Sequence, residues 1–246
     1  MHQILKKGLN MRKLGIIVPL LAGFAAVPAY AQDLGVTARA EVRLGYDEAR
    51  AGIRAGNENF NGDFGVKGVG YGVEAGVDAR ITESILVGAY AGADFSKADD
   101  CVDRPFEVFA STRRDIVCLD AGTNLTVGLR AGLPMADGGL IYAKGGYSRG
   151  KFQGSYSSAP ATPANAPIVE RFSDSDTVGG YHVGGGFELS FGGGFYGKAE
   201  YVHTRYKDAF KEAIAATGTG STSINELDPD RHQLMAGFGI RFGGGR

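Results

Sequence analysis

The 246-residue chain carries 26 Lys and Arg against 27 Asp and Glu, so it has no excess of basic residues with which to bind nucleic acid. Its 40 glycines, its lack of tryptophan and the absence of a long apolar run after residue 31 exclude a helical membrane protein. These features also argue against a large apolar core, and the length fits one domain.

The N-terminus predicts an export signal. A basic pair at 12–13 precedes the apolar run LGIIVPLLAGFAAV, and the small-residue cleavage site AYA ends at Ala31. We therefore predict a signal peptide over 1–31 and an exported domain over 32–246, with Met11 as a second candidate start. The apolar run is shorter than the roughly 20 residues that a membrane-spanning helix needs. Removing the signal takes away four basic residues and no acidic residue, which leaves a net charge of −5.

The rest of the chain contains runs in which apolar residues alternate with small or charged ones, a period of two that is typical of strands. Eight such runs occur, at 36–46, 69–79, 85–95, 124–131, 140–149, 178–189, 195–205 and 232–242. The predicted connections alternate between five to seven residues and about twenty or more. This pattern predicts an all-β fold, a transmembrane eight-stranded antiparallel up-and-down barrel with short periplasmic turns and long extracellular loops. Within the long loops we expect an irregular segment at 155–167 and a short helix at 208–216 capped by Asp208.

The last strand shows why lipid is the expected surroundings of the apolar face. Leu234, Ala236, Phe238, Ile240 and Phe242 alternate with small or polar residues, and nothing in the chain supplies a second layer to cover them. Outward aromatic residues near the C-terminus are typical of bacterial barrels, so we interpret Phe238 and Phe242 as an insertion signal. Gly243 to Arg246 follow them, whereas the aromatic residue usually ends the chain in that pattern.

The aromatic residues of the apolar faces fall into two groups by height along the predicted strands. Those toward the long-loop rim are Tyr46, Tyr71, Phe95, Tyr147 and Tyr181, and those toward the short-turn rim are Phe187, Phe195, Phe238 and Phe242. Two aromatic girdles at the two membrane interfaces are expected of an outer-membrane barrel.

The hairpin GGYHVGGGFELSFGGGFYGKAEYVHTRYKD, residues 179–208, resembles the penultimate hairpin of the opacity-type, porin-like outer-membrane β-barrel family of proteobacteria. The resemblance implies a surface-exposed protein of the Gram-negative outer membrane that serves envelope integrity, adhesion or limited permeation. We expect a monomer with no cofactor and no metal. Its expected partners are outer-membrane lipid, lipopolysaccharide and the barrel-assembly machinery. The sequence does not specify a surface partner.

The opposite face of the strands carries balanced charges. They are Arg39, Glu41, Arg43, Glu74, Asp78, Asp94, Arg130, Lys144, Glu188, Lys198, Glu200 and Arg241. Unpaired buried ions are costly and eight strands enclose a space that side chains fill, so we expect a charge network in a filled lumen and a structural or surface-interaction role. The alternative is a small porin-like channel lined by the same charges.

A lipid A-modifying enzyme is the second alternative. Barrel deacylases of lipid A carry a histidine and a serine two residues apart on a lipid-facing strand. His203 has the required parity, but Thr204 and Arg205 follow it and no serine nucleophile stands at that spacing. We therefore expect no enzymatic activity.

Two further predictions concern the extracellular side. Cys101 and Cys118 are the only cysteines and lie in the second predicted long loop, so periplasmic oxidation is expected to join them in a disulfide. Basic residues at the long-loop ends of three outward faces, Arg149, His203, Arg205 and His232, are expected to contact the phosphates of lipopolysaccharide. Solvated rim charges are the alternative for this second set.

Overall fold

An antiparallel ladder runs through the chain in the computed structural model, which describes residues 35–55, 61–104, 113–160, 169–207 and 224–243. Nine strands and one 3-10 turn, Ala136–Gly138, make up these residues. The strands are β1 (Val36–Ala55), β2 (Asn61–Thr82), β3 (Ile85–Ser96), β4 (Ala98–Arg104), β5 (Arg113–Pro134), β6 (Gly139–Pro160), β7 (Val169–Gly192), β8 (Phe195–Tyr206) and β9 (Ile224–Gly243). No helix among the described residues is long and apolar enough to cross a membrane.

The sheet closes on itself. Strands that are neighbours in sequence pair with each other, except that β3 and β4 both pair with β5, and β1 pairs with β9 to close the ring. Lys97 alone separates β3 from β4, and β4 continues the pairing with β5, so these two segments form one wall of the barrel. The nine segments therefore make the eight-stranded antiparallel barrel that the sequence predicts.

Several strands are much longer than predicted, toward the long-loop rim. β1 continues nine residues past the predicted end at Tyr46, to Ala55, and β6 reaches Pro160. The prediction of a long irregular loop from 155 is therefore wrong for its first part. The extensions lack the alternation of apolar residues because no lipid meets them, while ladder hydrogen bonds between neighbours still hold them as strands.

The disulfide pair lies in such an extension and not in a loop. The register of β4 and β5 places Cys101 directly opposite Cys118, and Cys118 is disulfide-bonded in the structure. The prediction placed both cysteines in one long loop, and this placement is wrong because strand pairing continues through that region.

Burial is reversed relative to a water-soluble protein. The large apolar side chains of the outward faces are exposed, with Leu129 at 70% and Leu234 at 59%, whereas charged side chains of the inward faces are almost completely buried. Tyr71 stacks on Phe95 with ring centroids 5.6 Å apart near one rim, and Phe195 stacks on Phe238 at 5.7 Å near the other. This is the arrangement that two lipid interfaces require.

Inward glycines make room for the large side chains of the lumen. A Cβ atom on Gly88 would lie 2.0 Å from an Asp78 carboxylate oxygen, and one on Gly239 would lie 2.5 Å from the ring of Tyr196. The G-x-G strings of the sequence are therefore packing positions against charged and aromatic neighbours. The signal peptide, residues 161–167 of the expected irregular segment and the expected helix at 208–216 with Asp208 lie outside the described residues.

Candidate functional site: the barrel lumen and the outer rim

The structure places all twelve charged residues predicted for the inner face on that face. Eleven of them are buried, and Arg241 at the periplasmic mouth keeps 22% of its side chain exposed. Strand pairing brings them to three heights along the barrel axis, where each contacts partners on strands far apart in sequence.

The central cluster consists of Arg43, Glu74, Asp94, Lys144 and Glu200. The Arg43 guanidinium donates two hydrogen bonds to Asp94, at 2.7 and 2.8 Å, and one to Glu74 at 2.7 Å. Lys144 lies 2.6 Å from Glu74 and 3.2 Å from Glu200. Two bases thus face three acids, and the fork of Arg43 holds strands β1, β2 and β3 together.

The periplasmic cluster consists of Asp78, Arg130, Glu188 and Arg241. Arg130 donates a bidentate pair of hydrogen bonds to Asp78 at 2.8 and 2.6 Å and a third bond to Glu188 at 2.5 Å. Arg241 also donates to Glu188, and its guanidinium lies 4.4 Å from the centre of the Tyr196 ring. This cluster therefore joins strands β2, β5, β7 and β9 at the periplasmic end of the barrel.

Arg39, Glu41 and Lys198 connect these two clusters. Arg39 lies 2.8 Å from Glu74 in the central cluster and 3.2 Å from Glu41. Lys198 pairs with Glu41 and lies 3.2 Å from Glu200. The twelve residues form one continuous network along the axis.

A further pair and an apolar layer continue the network toward the outer rim, and sequence reasoning missed both. Arg231 donates two hydrogen bonds to Asp47, at 2.9 and 2.5 Å, and both side chains are buried. Beyond them lies the apolar layer, whose members are Ala49, Val66, Ala121, Phe152, Val178 and Tyr206. The predicted strands stopped one residue short of Asp47 and Arg231. Both residues occupy alternate positions in step with Arg43 and Arg241, so a strand longer by one residue would have placed them on the inner face.

A buried histidine beside a serine is the second feature that the sequence did not reveal. Ser148 Oγ lies 2.8 Å from His182 Nδ1, and the Tyr90 hydroxyl contacts the other ring nitrogen. A neighbouring cavity of about 10 Å³ is lined by Arg43, Asp94, Thr126, Lys144, His182, Glu200, Val202, Gln233 and Met235. This volume holds about one water molecule.

The predicted outer-rim residues lie outside the barrel at one height. The rings of His203 and His232 are 4.6 Å apart, and Arg205 lies 4.0 Å from Asp230. Arg149 is two strands away from Arg205, and it faces Gly179 in the register of β6 and β7.

The outer rim also includes Lys207, which the predicted end of the seventh strand left out. Its backbone N–H donates to the Gly179 carbonyl at 3.1 Å. Gly179 pairs with Arg149 on its other side, so Arg149 and Lys207 flank a glycine that has no side chain to separate them. We call Arg149, His203, Arg205, Lys207 and His232 the rim patch.

A family model described as the outer membrane protein beta-barrel domain matches residues 17–242. No curated protein matches the chain. Solved structures with a similar fold include the attachment invasion locus protein Ail of Yersinia pestis, at 11% identity and a TM-score of 0.39, with 83% of this chain and 99% of that chain covered. OprG of Pseudomonas aeruginosa is also 11% identical, with a TM-score of 0.39 and coverage of 84% and 96%. The outer membrane protease OmpT of Escherichia coli is 10% identical, with a TM-score of 0.40 and coverage of 84% and 97%.

Proposed function

Since the chain belongs to the family of outer membrane protein β-barrel domains and lies in the outer membrane of a Gram-negative bacterium, we propose that it is a closed surface barrel with a structural or surface-interaction role. The observation that carries this proposal is the continuous lumen network, capped by the apolar layer. The cavity beside the central cluster holds about one water molecule, and this small volume among the described charges supports a lumen that is closed to hydrated ions. The charges serve cohesion between strands.

A planar-bilayer recording of the purified protein tests the closed lumen against the alternative of a small channel. We expect no stable openings, because bidentate pairs such as Arg43 with Asp94 would have to break in a low-dielectric interior. A porin of about sixteen strands serves as the positive control for the recording. Stable, reproducible conductance steps of the wild-type chain would contradict the proposal and favour the channel.

Two histidines, His182 and His203, are candidates for the catalytic base of a lipid A-modifying enzyme, and the surroundings of neither support that role. Ser148 and His182 are in hydrogen-bond reach, but both are buried at 3% exposure or less, and His182 meets Tyr90 where a catalytic triad needs a carboxylate. His203 lies on the outside next to His232 and not beside a serine. We therefore propose a non-enzymatic barrel, tested by the absence of acyl-chain release from lipopolysaccharide.

We further propose that the rim patch contacts the anionic headgroups of lipopolysaccharide. Arg205 exposes 49% of its side chain, and its partner Asp230 lies at the 4.0 Å limit of an ion pair, so its guanidinium retains free donors. Arg149 and Lys207 stand above the outward tyrosines Tyr147 and Tyr181, at the height where headgroup phosphates meet the barrel. Arginine offers phosphate two parallel hydrogen bonds. Because the chain as a whole is acidic, a basic patch is the part of its surface that attracts an anionic lipid.

A further inference from the structure

Two histidines of the outer surface face each other across neighbouring strands. His203 of β8 and His232 of β9 are direct partners in the antiparallel register, and both side chains point outward. Their rings are 4.6 Å apart and tilted by 37°. Directly opposite residues of an antiparallel pair have Cβ atoms about 5 Å apart, so two imidazoles here share one small space.

We propose that His203 and His232 bind a divalent transition-metal ion at the outer rim. The Nδ1 atom of His203 is inaccessible to solvent and has no hydrogen-bond partner among the described residues. A buried ring nitrogen without a partner is costly, and coordination of a cation satisfies it. Rotation of the two side chains brings one nitrogen of each ring within the roughly 2.1 Å of a shared ion that zinc coordination requires.

The surroundings of His232 support its role as a ligand. Tyr201, two residues before His203 on β8, has its hydroxyl 2.7 Å from His232 Nδ1. When His232 binds a metal through Nε2, Nδ1 carries the ring proton and donates a hydrogen bond to the Tyr201 hydroxyl oxygen. A hydrogen bond at the second ring nitrogen is the usual way in which proteins fix the orientation of a metal-binding histidine.

Local charges permit a cation at this position. Glu48 stands opposite His232 in the register of β1 and β9, where it pairs with Arg50 at 2.8 Å and with Lys67 at 3.6 Å. Asp230 lies two residues before His232 on the same face, 4.0 Å from Arg205, the nearest base on β8. These carboxylates and bases offset each other, so the local charge does not oppose a cation between the two rings.

The chemistry of the donors selects the class of metal. Imidazole nitrogens suit Zn²⁺, Ni²⁺ and Cu²⁺, whereas Mg²⁺ and Ca²⁺ prefer oxygen ligands. No group of three or more His, Cys, Asp or Glu converges on a metal position within the described part of the chain. Within the described residues the site therefore offers two protein ligands, and water is the expected occupant of the other coordination positions.

Calorimetric titration of the untagged protein in detergent with ZnCl₂ tests the site, and CaCl₂ tests its selectivity. We expect one Zn²⁺ per chain and no saturable binding of Ca²⁺. His203→Ala and His232→Ala should each weaken Zn²⁺ binding at least tenfold, and Tyr201→Phe should weaken it about tenfold because the orienting hydrogen bond is lost. The double variant His203→Ala/His232→Ala should bind no Zn²⁺ at this stoichiometry.

Heat-modifiable migration on gels tests whether each variant is a folded barrel. We expect all of them to fold, because the substituted side chains point outward. Arg149→Ala is the matched control, because it removes a rim side chain three strands from His232 and should leave Zn²⁺ affinity unchanged. Absence of saturable Zn²⁺ binding by the wild-type protein would overturn the proposal. So would undiminished binding by the double histidine variant, or Ca²⁺ binding of equal affinity.

Discussion

At the scale of single residues, charged residues at alternate positions of a strand all point into the lumen and form ion pairs there. Alternate residues of β1 point inward, which places Arg39, Glu41, Arg43 and Asp47 in one column on the barrel interior. Each of these charges meets a partner on another strand, and Asp47 meets Arg231 from a position 184 residues away. A buried charge that loses its partner is left without compensation, so pairs of this kind respond strongly to single substitutions.

Asp47 and Arg231 allow a thermodynamic cycle. Asp47→Asn leaves the Arg231 guanidinium without its counter-ion, and Arg231→Met leaves the Asp47 carboxylate unpaired, so each should lower the free energy of unfolding by about 3–5 kcal/mol. The double substitution Asp47→Asn/Arg231→Met should recover much of this loss because the apolar layer lies next to the pair. Urea unfolding in lipid vesicles measures all three variants.

Arg205 and Asp230 are the matched control for this cycle. They form a partly exposed pair at 4.0 Å, and Arg205→Ala should cost less than about 1 kcal/mol because water screens such pairs. Equal losses for Arg231→Met and Arg205→Ala would contradict the view that the inner pair is desolvated.

At the scale of the strands, the sequence predicted the membrane-crossing part well and the rest poorly. Alternation of apolar with small residues exists where one face meets lipid, and both ends of β3 and of β8 fall within one residue of prediction. The extensions of β1, β6 and β9 have water on the outside, so their side chains carry no period that a pattern can detect. The apolar layer and the pair Asp47 with Arg231 depend on these extensions and were missed for the same reason.

The last strand gives the prediction at this scale. Phe238 lies four residues deeper than Phe242 on the lipid face and stacks on Phe195. Phe238→Arg should cost on the order of 2–4 kcal/mol, and Phe242→Arg should cost less because it lies nearer the interface. Heat-modifiability and urea midpoints measure both. Phe191→Arg is the control, since Phe191 is 67% exposed at the periplasmic end of β7. Equal behaviour of wild type and Phe238→Arg would contradict the orientation of the last strand.

Strands β4 and β5 carry a separate prediction. Because Cys101 and Cys118 stand opposite each other, the exported protein should show no free thiol after denaturation without reductant. Their bridge closes a ring of about 15–20 residues, which the chain-entropy model values at about 3 kcal/mol. Thiol titration of wild type measures this, with Cys101→Ser as the control that should expose one thiol per chain. Two thiols in the wild-type protein would contradict the prediction.

At the scale of the whole molecule, the barrel is taller than the membrane it crosses. β7 has 24 residues, and at about 3.3 Å per residue and a tilt near 40° it rises roughly 60 Å, against an apolar band of about 25 Å. The protein therefore presents a paired sheet, and not only loops, on the cell surface. With the closed lumen that we propose, a wall of this height suits contact with envelope lipids and surface partners better than it suits permeation.

The proposed contact with lipopolysaccharide gives the prediction at this scale, because it would involve three strands at once. Arg149→Ala/Arg205→Ala removes two guanidinium groups that are each suited to bidentate phosphate binding. Each lost charge-assisted bond is expected to weaken headgroup binding by roughly ten- to a hundredfold, from a contribution of about 1.5–3 kcal/mol. The variant should retain less lipopolysaccharide through purification, and the rise of Tm on adding lipopolysaccharide should largely disappear. Adding Lys207→Ala should deepen the loss, since Lys207 stands level with Arg149 across Gly179.

Arg80→Ala supplies the control for this test. Arg80 is an exposed arginine at the periplasmic end of β2, so its substitution removes the same charge on the side of the membrane where no lipopolysaccharide is present. It should leave both co-purification and the shift of Tm unchanged. If the rim variant behaves like Arg80→Ala, the rim patch is a set of solvated charges. If both variants lose lipopolysaccharide equally, the binding reflects net charge and not the geometry of the rim. Only a loss confined to the rim variants supports headgroup recognition by residues at the height of the outer leaflet.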